Sequence, residues 1–179
     1  MQNEQEPDYR DSRQLTELAI VANEYCRFIE NISKYQSAQV LEFLSRICPL
    51  LYIKGSLIED RQQEEDMAEH IVTAETYEIV FNELRQVIGS NDVFYIFDQQ
   101  LKEAVASSMA ELFADVYQDL KDMLYMLSSP LSAKRQSANN ECARLFKSHW
   151  GIRLATAMRQ LHLLLYPDAE IDKGPVLND

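Results

Sequence analysis

The stretch Val105-Ala106-Ser107-Ser108-Met109-Ala110-Glu111-Leu112-Phe113-Ala114-Asp115-Val116-Tyr117-Gln118-Asp119-Leu120-Lys121-Asp122-Met123-Leu124-Tyr125-Met126-Leu127 decides the fold. Its apolar residues Val105, Met109, Leu112, Phe113, Val116, Leu120, Met123, Leu124 and Leu127 recur every three or four positions, the period of an α-helix burying one stripe. Ser107 or Ser108 stands where an N-cap is needed and Pro130 follows the end. The spacing therefore predicts a long amphipathic helix, fourth in chain order, that needs other helices to cover it.

Those partners are legible on both sides. Upstream, Leu15, Leu18, Ala19, Ala22, Tyr25, Cys26 and Ile29 repeat the helical signature, with Val21, Phe28 and Ile32 as a flanking stripe. Ser37 stands as the N-cap of a second helix through Val40, Leu41, Phe43, Leu44, Ile47, Leu50 and Leu51, the most apolar element. Pro49 lies inside it and has no N–H for the Ser45 carbonyl, which predicts a kink, or a helix end and restart. Thr73 caps a third helix with Tyr77, Val80, Phe81, Leu84, Val87 and Ile88 on its face and Gly89 as terminator. Downstream, Arg135 to Pro167 reads as one long C-terminal helix through Cys142, Leu145, Phe146, Trp150, Leu154, Ala157, Leu161 and Leu165, interrupted only by Gly151. Val93-Phe94-Tyr95-Ile96-Phe97 has strand composition but no second such run to pair with, and reads as a short segment plugging the core.

The expected fold class is all-α: a single bundle of about five main helices over residues 13–166. A disordered segment (1–12) precedes it and a loose tail (167–179) follows. Glu59 to Glu69, eight carboxylates or amides in eleven residues, reads as a solvated loop.

Composition agrees. The 179 residues include 4 Gly and 5 Pro, well under average usage, so there is little turn chemistry, and 46% hydrophobic residues suffice for one core. With 17 Lys and Arg against 29 Asp and Glu, the net charge is −12, which excludes a generic phosphate-backbone binder. The longest apolar run, Ile47 to Ile53, is far short of the roughly 20 residues a membrane span needs. An acidic start without an apolar run is no signal peptide, and Cys26, Cys48 and Cys142 read as reduced core thiols, so the expected location is cytoplasmic.

Ala22-Asn23-Glu24-Tyr25-Cys26 with Ile29-Glu30-Asn31, Leu50-Leu51-Tyr52, Asp115-Val116-Tyr117-Gln118-Asp119-Leu120-Lys121-Asp122, and His149-Trp150-Gly151 with Arg153-Leu154 and Leu161-His162 together make a pattern. It resembles a bacterial family catalogued as a domain of unknown function, small cytoplasmic all-helical proteins. The resemblance implies the helical fold and brings no catalytic residues to carry over.

Two sets of polar residues stand out. Glu111, Asp115, Gln118 and Asp122 fall within about 60° on the fourth helix, opposite its apolar stripe, and read as its wet side. Asp119 sits at the border of the apolar face and needs a partner, because an unpaired buried carboxylate is costly. His149 and Arg153 interrupt the apolar face of the last helix, so Arg153 with His149 is expected to pair with Asp119 or Asp115, with Tyr117 and Trp150 at the rim. Asp115, Tyr117, Asp119, Asp122, His149, Trp150 and Arg153 are thus the candidate binding residues, and a structural ion pair is the competing reading.

No phosphate loop, nucleophile elbow or zinc-ligand spacing occurs, and no cofactor is indicated. The leading expectation is a binding or interaction module whose acidic surface takes a basic protein partner, with a homodimer as another possibility. The alternative is a Mg²⁺- or Mn²⁺-dependent hydrolase of phosphorylated small molecules, because Glu75-x-x-Glu78 and Asp119-x-x-Asp122 match the paired carboxylates of helical nucleotide pyrophosphohydrolases.

Overall fold

The computed structural model describes residues 9–59 and 69–167. The expected N-terminal segment up to residue 8, most of the acidic Glu59 to Glu69 stretch, and the tail from Asp168 lie outside the described residues.

Helix α1 (Tyr9–Ile29) buries Leu18, Ala22, Tyr25, Cys26 and Ile29, five of the residues its periodicity singles out. A 3-10 turn at Ile32–Lys34 leads to α2 (Ser37–Ser56). Gln36 is its N-cap, through a capping box with Gln39, so Ser37 is the first helical residue and not the cap. Helical structure runs past Pro49 to Ser56, so the helix does not end and restart there.

Helix α3 (Ala74–Ile88) begins at Thr73, whose hydroxyl accepts from the Thr76 N–H at 3.2 Å. It ends at Gly89, where φ is +63°, a left-handed conformation that glycine adopts without a β-carbon clash.

The segment from Val93 is where the sequence reading needs correction. β1 (Val93–Asp98) pairs antiparallel with β2 (Glu103–Ser108), from Val93 opposite Ser108 to Asp98 opposite Glu103. A partner strand therefore exists, and Val105 belongs to it and not to the fourth helix. Nor does the segment plug the core: Phe94 is 7% exposed, but Tyr95 is 69% and Phe97 67% exposed. The tip turns at Asp98, whose Oδ1 accepts from the N–H groups of Gln100 and Leu101.

Helix α4 (Met109–Leu127) starts directly after β2, with Ser108 as N-cap donating nothing to the helix but accepting from the Glu111 N–H. Asp92, buried beside that end, accepts from the Ala110 N–H at 2.8 Å and the Ser108 hydroxyl at 2.9 Å. A carboxylate there satisfies free N–H groups and suits the positive end of the helix, so Asp92 anchors both the hairpin base and α4.

Helix α5 (Ser132–Leu145), a π-helical turn (Phe146–Trp150) and α6 (Gly151–Leu165) form one continuous helical run, the expected C-terminal helix. Gly151 is required by that turn: a β-carbon there would run into the Phe146 carbonyl oxygen. A β-carbon at Gly55 of α2 would likewise collide with the Trp150 indole, so Gly55 is the notch that lets α2 and the C-terminal run approach.

α4 packs against α1, α3, α5 and α6. The fold is an all-α bundle around this helix, carrying one small hairpin.

Candidate functional site

Because neighbours surround α4, it has no broad wet face, and the expected outer stripe of acids is corrected accordingly. Asp115, Asp119 and Asp122 have side chains only 13%, 11% and 8% exposed, while Glu111 is exposed and Gln118 half-buried. Spaced four and three apart, the three aspartates form a polar seam facing α3, the segment before it, and the C-terminal run.

Each carboxylate meets a partner from another element. The Arg153 guanidinium, on α6, pairs with Asp115 through Nε and Oδ2. The Tyr77 hydroxyl, from α3, donates to the other oxygen of Asp115 at 2.7 Å. Burial and this bond push the Tyr77 phenol up, so it stays protonated and donating.

His149, carried by the π-helical turn, reaches Asp119 with Nδ1 2.6 Å from Oδ2. Burial pushes the Asp119 carboxyl above its ordinary range, while the His149 hydrogen bond acts in the opposite direction. Asp122 accepts the backbone N–H groups of Ile71 and Val72 on Oδ1, at 2.8 and 3.0 Å, and meets His70 Nδ1 at 2.8 Å on Oδ2. That bond raises the His70 imidazole above its usual value.

The sequence thus named the correct pair of partners for the acids, and the structure assigns Arg153 to Asp115 and His149 to Asp119. Two other candidates lie elsewhere. Tyr117 faces α1 and is 3% exposed, its hydroxyl donating to Glu30 Oε1 at 3.1 Å, beside the Lys121 ammonium at 2.5 Å. Trp150 is fully buried, with its indole N–H on the Cys142 carbonyl at 3.3 Å. Neither stands at a rim, because the aromatic bodies fill the packing on each side of α4.

Tyr77, His70 and Asp92 are the polar residues the sequence reading did not place. Tyr77 sits in the apolar stripe of α3, and only its hydroxyl could have marked it as needing a polar partner. His70 and Asp92 lie in connections, where no periodicity identifies a facing residue.

Chemically, the seam is satisfied from within. No buried side-chain nitrogen or oxygen among the described residues lacks a hydrogen bond. The cavity beside His70, Asp119 and Asp122 is about 10 Å³, room for roughly one water. Glu75 and Glu78 are exposed on α3, whereas Asp119 and Asp122 are turned inward onto His149, His70 and the Ile71 and Val72 backbone. Among the described residues, no three His, Cys, Asp or Glu side chains are grouped as metal ligands. The free thiols Cys26, Cys48 and Cys142 are all buried, and burial pushes each above its usual value, away from the reactive thiolate.

The other polar concavity is an open groove of about 680 Å³ between α2 and α6, with Pro49, Met158, Leu161 and Leu165 on its floor. At its edge Arg46 is paired with Glu42 at 2.5 Å.

Among the described residues no helix is long and apolar enough to cross a membrane. Protein BF1032 from Bacteroides fragilis, known from a structural-genomics crystal structure, is similar to this chain at 25% identity and a TM-score of 0.75, with 93% of this chain and 96% of that one covered. No curated protein matches. The family model described as "Domain of unknown function (DUF5063)" matches residues 10–167, which span every described helix and both strands, and the chain belongs to that family.

Proposed function

We propose that this chain is a protein-interaction module whose docking face is the β1–β2 hairpin, acting in a reducing, cytoplasmic setting. One observation carries the reading. Val93, Tyr95 and Phe97 alternate along β1 on the side away from the core, and across from them stand only Ser108, Ala106 and Ala104. Two aromatic rings more than half exposed over small residues form an apolar surface that folding leaves uncovered. Aromatic anchors of this kind supply most of the binding energy at protein interfaces. The buried free thiols fit the reducing compartment.

This reading moves the interaction surface from the acids of α4, which are engaged inside the bundle, to the hairpin. The hydrolase alternative would need Asp119 and Asp122 to leave their present partners and meet Glu75 and Glu78.

The test is a thermal-shift series with Mg²⁺, Mn²⁺ and nucleotides, run beside the variant Tyr95→Ser/Phe97→Ser. A ligand selective for the native state raises its apparent stability. The module reading expects no shift with metal or nucleotide, and a hairpin variant that folds as the parent does. A shift of several degrees with metal and nucleotide together, abolished by Asp119→Asn, would replace it with the hydrolase.

A further inference from the structure

We infer that the partner of the hairpin is a second copy of this chain, joined by antiparallel pairing of β1 with β1 across a two-fold axis at Tyr95. This rests on the hairpin being the docking face.

The described sheet has two strands only, so β1 pairs with β2 along one edge and has no strand on the other. Natural edges are blunted by lysine, proline, bulges or inward charges. β1 reads Val93-Phe94-Tyr95-Ile96-Phe97-Asp98 and pairs with β2 residue for residue without a bulge, so its only charge is at the tip.

A two-fold axis perpendicular to a sheet makes an antiparallel pair from one strand, and residues directly opposite share a face. Centred on Tyr95, the pairing sets Tyr95 against its own counterpart and Val93 against Phe97 on the outer side. On the inner side it sets Phe94 against Ile96. Every cross-strand pair within the strand is then apolar or aromatic, the kind that stabilises sheets.

Charge fixes the register. With Tyr95 at the centre, the tip residue Asp98 lies opposite position 92 of the second copy. There Arg85 stands 63% exposed, its Nε only loosely placed 3.9 Å from Asp92. Each acidic tip thus meets a basic base, twice by symmetry. Moving the centre one residue, to Ile96, would instead set Asp98 against the inward-facing Phe94, a carboxylate against a buried ring. An apolar partner without this charge pattern would gain nothing from the placement of Asp98 and Arg85.

Sedimentation equilibrium on the full chain, with circular dichroism to verify folding, tests the inference. The wild type is expected to dimerise. Asp98→Arg and Arg85→Glu are each expected to weaken the dimer about tenfold or more, and the two together to restore it to within about threefold. For the register, Tyr95→Cys should form a disulfide-linked dimer under mild oxidation, because opposed residues lie within disulfide reach. Phe97→Cys should not, its counterpart being about 13 Å away along the strand. A wild type monomeric at high micromolar concentration overturns the second copy as partner, while the hairpin as docking face stands or falls on the Tyr95→Ser/Phe97→Ser folding comparison. A dimer indifferent to the charge reversals, or cross-linked equally at both cysteines, overturns the β1 pairing.

Discussion

The acid seam of α4 and the β1–β2 hairpin invert the usual relation between polarity and position. In the seam, three aspartates are drawn into the bundle and each is met by a cation, a hydroxyl or backbone N–H groups from another element. In the hairpin, Tyr95 and Phe97 stand in solvent although the bundle could have buried such rings. Burying a charge is costly unless its partners are in place, so the seam demands one arrangement of helices and specifies register. Exposed aromatic area contributes nothing to the folded monomer and is available to a partner. The seam therefore belongs to folding and the hairpin to association, and substitutions in the two regions should separate those quantities.

The largest effect is expected inside the hairpin itself, at its one buried ring. Phe94→Ala removes a side chain packed on the core and should lower unfolding free energy by about 3 kcal/mol, measured by urea denaturation. Its outward neighbour should show almost none: Phe97→Ala is expected to change monomer stability by less than about 0.5 kcal/mol. Equal losses at the two positions would break the comparison.

In the seam, Asp122→Ala leaves the Ile71 and Val72 N–H groups without their acceptor, Val72 being buried, and should cost about 2–3 kcal/mol. Arg153→Met should cost about 2 kcal/mol, because Asp115 keeps only Tyr77. Adding Asp115→Asn to Arg153→Met should recover part of that loss, since no uncompensated charge then remains. A double-variant cycle with no coupling would show that the pair does not act as a unit.

The smallest effect is at His70. Its imidazole is raised in the folded state by Asp122, so its contribution is fully present below the unfolded value near 6.5 and is lost as pH rises through the folded value. With the ring largely exposed, the contribution is under about 1 kcal/mol. The stability difference between wild type and His70→Ala should therefore be larger at pH 5.5 than at pH 8.5, and a difference that grows with pH would contradict the pairing.

What could be read from the sequence follows from how each element is stabilised. The helices were legible because each carries its own apolar period and, for α3, its own cap and terminating glycine. The pairing of Arg153 and His149 with acids of α4 was legible because cations interrupting an apolar face must be answered across it. β2 was not, since Glu103-Ala104-Val105-Ala106-Ser107-Ser108 has no strand composition and Val105 falls in phase with the α4 stripe. Only its pairing with β1 makes it a strand, and pairing is a tertiary fact. The outer-face reading of the α4 acids failed for a related reason: angular position gives the side of a helix, but not how many neighbours surround it.

The role of Gly55 belongs to the same class. Nothing local requires glycine there, yet the Trp150 indole occupies the space a β-carbon would take. Trp150 is far away in sequence and becomes its neighbour only when α2 meets the C-terminal run.

The most direct test of the division between folding and docking is equilibrium urea unfolding of Tyr95→Ser/Phe97→Ser beside Asp122→Ala, at dilutions low enough that self-association adds nothing to stability. The account predicts a hairpin variant within about 0.5 kcal/mol of the parent and a seam variant lower by about 2–3 kcal/mol. A hairpin variant destabilised as much as the seam variant would mean that the exposed rings hold the fold together, and would contradict it.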